Sequence, residues 1–435
     1  MKKRLPDYKD FVVHILIFLF PIVVATVKNG GGIIAVILIV LGVIWGWPAW
    51  KNLHKWEKHL LFGFILLSMI AGFSLINTEN IHEGLSKLER FLYFPLCIPI
   101  YLLLRVLKIE TGKTLLLGAV VAGFVLLGQA LYEINVLTAD YAEGAYHKII
   151  FGDIAMILAL IIVAAMLTLE KQMWYYFIGI AAVCCAVYAS VLSQTRGSWL
   201  LLPVALFGLF WLFRHRISRR GWLFAISVSI VIFVVLAGGL NNPVQRHIIV
   251  GIDELKAHLE DPSHISSWGE RVNMWSDSIR IWKTSPILGT GLGDFGRDSA
   301  QLIADNISHL SKPYRHAHSV YFDALATLGL FGLVVLVVCI FCAPLYIFYS
   351  FWNSCNTTSL RFYSLSGLIV VVGFAVFGLT EGWLSRSAMV KTYLICLLVF
   401  LSSIANSMAK QQQLGSVDFT ALFFRLKSRL RKMYS

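Results

Sequence analysis

Two histidines and two arginines stand where polar residues interrupt long apolar runs of the sequence. His316 and His318 lie in the stretch Tyr314-Arg315-His316-Ala317-His318-Ser319, directly before an apolar run. A histidine in such a place can take or hold a proton near neutral pH. Two histidines could also bind a metal ion, but no set of Asp, Glu, Cys or His at ligand spacing accompanies them in the sequence. We therefore interpret His318 as a candidate proton acceptor and predict no metal site.

The two arginines are candidates for binding an anion. Arg196 lies in a short polar connection between two apolar runs, and Arg271 lies in the first turn of a predicted helix. An arginine close to lipid is costly to place and is by default a functional hypothesis. Its planar fork of donors fits phosphate oxygens, so Arg196 and Arg271 together could hold a diphosphate. Two simpler interpretations stay open: Arg196 could only reach the membrane interface, and Arg271 could be a solvated surface residue.

Other residues are weaker candidates for substrate binding. Lys87 and Arg90 precede an apolar run and could contact phosphates, although such residues often only end a membrane helix. Arg315 and His316 could support His318, and the ring of Tyr314 could pack against a sugar. The glycine-rich residues 289–296 could turn tightly and present N–H groups to an anion, but no strand precedes them as a dinucleotide fingerprint would require.

The composition defines the class of protein that must position these residues. Of 435 residues, 58% are hydrophobic and 14% charged, and the mean hydropathy is +0.73. A soluble domain carries about 25% charged residues, so a water-soluble protein is excluded. The apolar runs are continuous and long enough to cross a bilayer as helices, whereas barrel strands would alternate. The sequence predicts an all-α polytopic membrane protein.

Twelve apolar runs predict twelve transmembrane helices. We place them at residues 11–27, 33–50, 60–76, 91–107, 115–135, 151–169, 175–192, 199–213, 222–240, 320–352, 363–379 and 392–408. The chain then divides into nine spans over residues 1–240, a loop domain over 241–319, three spans over 320–410, and a basic amphipathic tail over 411–435. The run at 320–352 is too long for one straight crossing, and it could begin as a surface helix.

The basic residues predict which side the loop domain occupies. With both termini in the cytoplasm, the inner segments hold 22 Lys and Arg, the short outer loops hold 7, and the long segment 241–319 holds 8. This asymmetry follows the positive-inside rule, so the loop domain should face outward. The net charge of +13 is explained by these helix ends rather than by one basic face, and no nucleic-acid partner is expected.

The loop domain should be folded rather than disordered. The predicted apolar stripe recurs at helical spacing and indicates an amphipathic helix; it consists of Trp268, Val272, Trp275, Ile279 and Trp282. Ser267 followed by Glu270 resembles a capping box that begins the helix, and Pro286 should end it. Because this domain contains the most concentrated polar motifs, we expect the functional site there.

The order of these motifs is similar to that in the bacterial O-antigen ligase family. His318-Ser319, nine residues, and then Gly329-Leu330-Phe331-Gly332 fit the pattern H-[NSQ]-x9-G-x-x-[GTY] of O-antigen ligases. Arg196 to Leu200 resembles the R-x-x-x-L element of the same superfamily, which also contains O-antigen polymerases and O-linked protein oligosaccharyltransferases. The segment from Arg271 to Phe295 resembles the long periplasmic loop. The layout matches over most of the chain, but the specific motifs lie only between about residues 193 and 332.

The resemblance implies a C-type glycosyltransferase fold in the bacterial inner membrane with its active site on the periplasmic face. It implies transfer of a glycan from undecaprenyl diphosphate to the lipid A-core oligosaccharide, with inversion and without a metal ion or other cofactor. In that reaction Arg196 and Arg271 would offset the charge of the leaving diphosphate. His318 would orient or deprotonate the acceptor hydroxyl, and a direct role on the phosphate stays open.

Two other functions compete with this one. An O-antigen polymerase would use the same lipid-linked donor with another lipid-linked glycan as acceptor, and the histidine motif favours the ligase. A twelve-span transporter would normally have two similar halves and polar or helix-breaking positions at mid-membrane. Residues 1–213 and 214–435 are dissimilar, and the polar groups lie at the outer boundary. The sequence therefore favours a transferase.

Overall fold

The computed structural model describes residues 8–169, 172–214, 265–354 and 357–413, and also residues 249–261 except 252, 255, 258 and 259. All regular structure in these residues is helical, as the sequence predicts. The predicted span at 222–240 and nearly all of the predicted basic tail lie outside the described residues. The apolar content and the length of the helices define a polytopic helical membrane protein.

The α-helices are numbered in chain order. They are α1 Tyr8–Thr26, α2 Gly30–Trp45, α3 Lys55–Ser74, α4 Ile81–Leu96, α5 Ile98–Leu107, α6 Gly112–Asn135, α7 Lys148–Thr168, α8 Met173–Leu192, α9 Arg196–Trp199, α10 Leu201–Phe213, α11 Ser267–Thr284, α12 Phe295–Ala304, α13 Val320–Leu336, α14 Ala343–Ser354, α15 Thr358–Thr380 and α16 Ser387–Gln413. Short 3-10 segments at Trp47–Asn52, Leu75–Asn77 and Trp383–Ser385, and a π-helical segment at Val337–Cys342, connect some of them.

Ten helical segments of the described chain are long and apolar enough to cross a membrane, and each coincides with a predicted span. The second predicted span corresponds to α2, which is apolar but has only 16 residues. Helices α7, α15 and α16 are almost completely buried inside the bundle, whereas α1, α8 and α10 leave most of their surface outside it. A helix that is apolar all round is suited to such a central position. The ends of α7 and α15 therefore provide a rigid support for a site.

The helix predicted in the loop domain forms, but it buries a different face from the predicted one. Glu270, Asn273, Met274, Asp277, Ser278 and Ile281 are its buried residues from Glu270 onward, whereas Ile279 of the predicted stripe is exposed. Polar residues can occupy this face because they are hydrogen-bonded: Ser308 donates to Asp277, and the N–H of Ser311 donates to Glu270. The helix is capped by Ser266, which accepts the N–H of Gly269, so the predicted cap at Ser267 is one residue too late.

The glycine-rich segment attaches the loop domain to α13. The N–H groups of Thr290 and Gly291 donate to the carbonyls of Ala326 and Thr327 at 3.1 Å. These donors are therefore occupied by backbone acceptors, and the predicted presentation of N–H groups to an anion is wrong for them. Helix α13 leaves helical geometry at Gly329, which has a φ of 67°. The long tenth run is thus broken where the loop domain is attached.

A second attachment joins the loop domain to the start of α4. The side chain of Asp294 accepts the N–H groups of Glu79 and Asn80 at 2.8 and 2.9 Å. Asp294 itself is fully buried, and the hydroxyl of Thr78 donates to the carbonyl of Leu292. Backbone donors at a helix start favour a carboxylate. The loop domain is consequently fixed to two membrane helices, α4 and α13.

Candidate active site at the loop-domain end of the bundle

His318 meets a carboxylate from another part of the chain. Its Nδ1 lies 3.1 Å from Oε2 of Glu381, which directly follows α15. The backbone of His318 has a φ of 47°, a left-handed conformation that is uncommon for a residue other than glycine. The neighbouring residues hold it there, because the N–H of Ala317 donates to Asp323 and the hydroxyl of Ser319 donates to the carbonyl of Gly378. The imidazole is thus fixed by α13 and α15 together.

Glu381 is deeply buried, with 4% of its surface exposed. Burial alone would raise its pKa, but His318, His316 and Arg386 outweigh burial and lower the pKa to about 2. Nε of Arg386 lies 3.6 Å from the second carboxylate oxygen, Oε1. The carboxylate is therefore ionised throughout the physiological range.

The two predicted arginines lie in the same region. Burial lowers the pKa of Arg271, and the charges acting on it are those of Glu381, Arg196 and Glu254. Nη1 of Arg196 lies 3.8 Å from Oε2 of Glu254. Arg271 accordingly lies within electrostatic range of both Arg196 and Glu381, the partner of His318, so the structure brings residues that are distant in sequence into one region.

Close packing explains the short polar connection that carries Arg196. Gly197 follows Arg196 in α9, and a Cβ on it would lie 2.8 Å from the hydroxyl of Thr380, the last residue of α15. The hydroxyl of Thr195 donates to the carbonyl of Lys148 at the start of α7. The connection is therefore wedged between the ends of α7 and α15. This packing places the arginine beside the segment that contains Glu381.

His316 and Tyr314 line the same site. The ring centroid of His316 is 4.4 Å from that of His318, and the ring of Tyr314 is 6.1 Å away with its edge turned to His318. Burial and the neighbouring His318 lower the pKa of His316 to about 4, so this imidazole is neutral at physiological pH. Burial and Glu270 raise the pKa of the Tyr314 hydroxyl. Both residues can shape the site without adding charge to it.

The remaining candidates have different surroundings. Nζ of Lys87 is buried and lies 3.6 Å from Asp323, the residue that also accepts the N–H of Ala317. Lys87 and Phe91 of α4 line a small cavity of about 20 Å³ together with Asp323, Gly382, Leu384 and Ser385. Arg90 instead binds Glu89 and the carbonyl of Ser86 on its own helix. Arg315 is exposed. Lys87 therefore belongs with the site, whereas Arg90 contacts its own helix and Arg315 is exposed.

The tertiary structure supplies a carboxylate to the two histidines, contrary to the absence of a ligand set noted in the sequence. His316, His318 and Glu381 each offer one potential ligand atom, and the three atoms lie within 4.8 Å of one another. Such a set could hold a metal ion. Arg196, Arg271, Arg386 and Lys87 surround this group with positive charge, which favours an anionic ligand in the same space.

Sequence reasoning missed Glu381 and gave no role to Arg386. Glu381 directly follows a predicted span, and an ionisable residue at that boundary was the available signal. His147 and Asp153, at and near the start of α7, are further electrostatic neighbours of Glu381 that the motifs did not indicate. Burial lowers the pKa of His147, and the charge of Arg386 lowers it further.

The fold and the site together define a polytopic helical membrane protein with a cationic, histidine-containing site at one end of its bundle. Residues 180–337 match the O-antigen ligase family model, and this segment contains Arg196, Arg271 and His318. This match supports membership of the chain in the O-antigen ligase superfamily. It is also 23% identical over 400 residues to an uncharacterized protein of Haemophilus influenzae, an alignment that covers 90% of this chain and 98% of the relative.

Proposed function

We propose that this protein is an O-antigen ligase. It transfers a glycan from undecaprenyl diphosphate to the lipid A-core oligosaccharide, with inversion and without a metal ion, at the periplasmic face of the bacterial inner membrane. The observation that carries the proposal is that Arg271 lies within electrostatic range of both Arg196 and Glu381, the carboxylate that contacts His318. A proton acceptor beside two buried or half-buried guanidinium groups is what transfer from a diphosphate requires.

In the proposed reaction His318 acts on the acceptor, and Arg196 and Arg271 act on the donor. The acceptor hydroxyl oxygen forms a bond to the anomeric carbon of the glycan, while the bond from that carbon to the diphosphate oxygen breaks. The hydroxyl proton goes to His318, and undecaprenyl diphosphate leaves with the bonding electrons. Arg196 and Arg271 bind the diphosphate and offset the charge that develops on it. Attack from the side opposite the leaving group inverts the anomeric centre.

Three residues near His318 and Glu381 support substrate binding. Lys87 offers a buried positive charge beside the site, and His316 and Tyr314 offer neutral ring surfaces next to His318. A sugar can pack against such rings, while a lysine suits a phosphate of the donor or of the core oligosaccharide. Arg90 and Arg315 are weaker members of this group because their contacts or exposure place them apart from His318.

The family also contains polymerases, so the acceptor must be identified by experiment. The purified protein is incubated with undecaprenyl-diphosphate glycan, with lipid A-core, and with both, and the products are separated on a gel. A ligase lengthens lipid A-core only when both substrates are present. Lengthening of the lipid-linked glycan without lipid A-core would instead identify a polymerase. Loss of both products in a protein that is correctly folded would contradict transferase function altogether.

A further inference from the structure

We propose that Glu381 is the positioning residue of His318: it holds the proton on Nδ1 and thereby leaves Nε2 as the atom that accepts the hydroxyl proton. This inference rests on the proposed function and adds a residue that lies outside the matched segment 180–337. In the transfer step the hydroxyl proton moves to Nε2, and the proton on Nδ1 stays between the imidazole and Glu381.

The contact determines which nitrogen carries the proton. An ionised carboxylate has no hydrogen to donate, so Nδ1 of His318 must be the donor in the 3.1 Å contact with Oε2. A neutral imidazole with its proton on Nδ1 has a free acceptor pair on Nε2. Because Nε2 is on the far side of the ring from the carboxylate, it is the nitrogen that can meet a substrate.

The surroundings of Glu381 keep it ionised and in place. Arg386 lies on its second oxygen at 3.6 Å, and the burial of the carboxylate limits screening by water. Other charged or titratable groups around the pair come from several elements. His316, His147, Asp153 and Arg271 interact with Glu381, whereas Asp323 and Lys87 interact with His316. Glu381 is the group among these that contacts an imidazole nitrogen of His318.

The backbone conformation of His318 also supports a positioning role for Glu381. His318 keeps a left-handed φ of 47°, which costs free energy and persists only where neighbouring contacts enforce it. Those contacts come from Asp323 on α13 and from Gly378 on α15, three residues before Glu381. The fold therefore holds His318 in a strained backbone conformation, and this conformation places its imidazole at the end of α15 in contact with Glu381. A histidine that only lined the site would need no such arrangement.

Substitutions at position 381 separate this role from simple packing. Glu381→Gln keeps the shape, but its amide can donate to Nδ1 and so favour the proton on Nε2, which is the wrong form for a base. Glu381→Ala removes the carboxylate without imposing the wrong form, and Glu381→Asp keeps a carboxylate. We expect Asp to retain the most transfer, and Gln to be no better than Ala, with a loss on the order of 100-fold to 10,000-fold. If Glu381 served packing alone, Gln would retain the most.

Two readouts are taken on full-length protein in detergent, with Glu260→Gln, an exposed carboxylate, as the matched control. The first is the rate of glycan transfer against pH. The second is carbethoxylation of His318 by diethyl pyrocarbonate against pH, followed by peptide mass spectrometry, which requires no turnover. Glu381 occupies Nδ1 of His318 and fixes the orientation of the ring, so the modification profile of His318 in Glu381→Gln and Glu381→Ala should differ from that in the wild type. Size-exclusion profiles check folding.

The outcomes distinguish this inference from the proposed function. If the wild type transfers no glycan but the modification profile shifts in the variants, the proposed function fails and the coupling of Glu381 to His318 stands. If the wild type is active, and Glu381→Gln retains at least half of that activity with an unchanged modification profile, the positioning role is refuted. The positioning role is supported if Glu381→Asp transfers more glycan than Glu381→Ala, if Glu381→Gln transfers no more than Glu381→Ala, and if the modification profile of His318 changes in the variants.

Discussion

Gly289 and Gly329 lie so close together that neither position has room for a side chain. A Cβ on Gly289 would be 2.5 Å from the nitrogen of Gly329, and a Cβ on Gly329 would be 2.3 Å from the carbonyl oxygen of Ile287. Both residues have positive φ, 72° and 67°. This contact attaches the loop domain, with Arg271, to the helix that follows His318. The glycine of the ligase motif is therefore explained by close backbone approach.

The first prediction concerns this contact. Gly289→Ala and Gly329→Ala should each destabilise the protein by on the order of 1–3 kcal/mol, because a strained backbone and a steric overlap are added together. Transfer should fall with stability as Arg271 moves relative to His318. Thermal unfolding in detergent measures the effect, and Gly128→Ala, which has open space around its Cβ, is the control. Equal melting temperatures in all three variants would contradict the attachment.

The second prediction concerns the proton acceptor. His318→Ala should lower transfer to lipid A-core by on the order of 100-fold to 10,000-fold, because the acceptor hydroxyl loses its base. The protein should still insert and fold. His309→Ala is the matched control, since His309 is an exposed histidine of the same loop domain. If purified His318→Ala protein transferred glycan at the normal rate, the assignment of the site would be wrong.

The third prediction concerns the arginines. Arg196→Lys and Arg271→Lys should each reduce transfer by on the order of 100-fold, because a point charge replaces a planar fork on the diphosphate. Alanine at either position should be at least as damaging. Arg280→Lys is the control for Arg271, since Arg280 lies on the same helix but pairs with Asp277. Full activity of both lysine variants would show that charge alone is sufficient and would argue against bidentate binding.

The fourth prediction concerns metal ions. Chelation with EDTA should leave transfer intact, because arginines rather than a metal offset the charge of the diphosphate. Added Zn²⁺ should inhibit, since His316, His318 and Glu381 could capture it and occupy the proposed base. Glycan transfer is measured with and without each reagent. Loss of activity on chelation, restored by a divalent metal, would overturn the metal-independent mechanism.

The fifth prediction follows from the neutral His316. Its pKa falls from a usual 6.5 to about 4 in the folded protein. Between these values the unfolded state binds a proton that the folded state does not, so stability should be constant above pH 6.5 and should fall as pH is lowered toward 4. His316→Asn should have a smaller loss of melting temperature between pH 7.5 and pH 4.5 than the wild type. The same loss in both proteins would rule out His316 as its source.

Much of the architecture could be predicted from local sequence. Long apolar runs separated by basic residues indicate membrane helices because each helix must satisfy its own backbone in lipid, wherever its neighbours lie. In the loop domain, the spacing of apolar residues was a less reliable guide to which helix face is buried. The helix at Ser267–Thr284 forms as expected, but most of its fully buried residues are polar, and the tryptophans of the predicted stripe are only half-buried.

The sequence by itself determined the membrane class, the helices and three candidate residues, because residue type and spacing along the chain carry that information. Only the tertiary structure decided that these residues lie in one region and that His318 contacts Glu381, which lies 63 positions from it. That contact depends on how α13 packs beside α15 and on where the loop domain is attached. Such packing arises from the fit of whole helix surfaces, and no short pattern of residues encodes it.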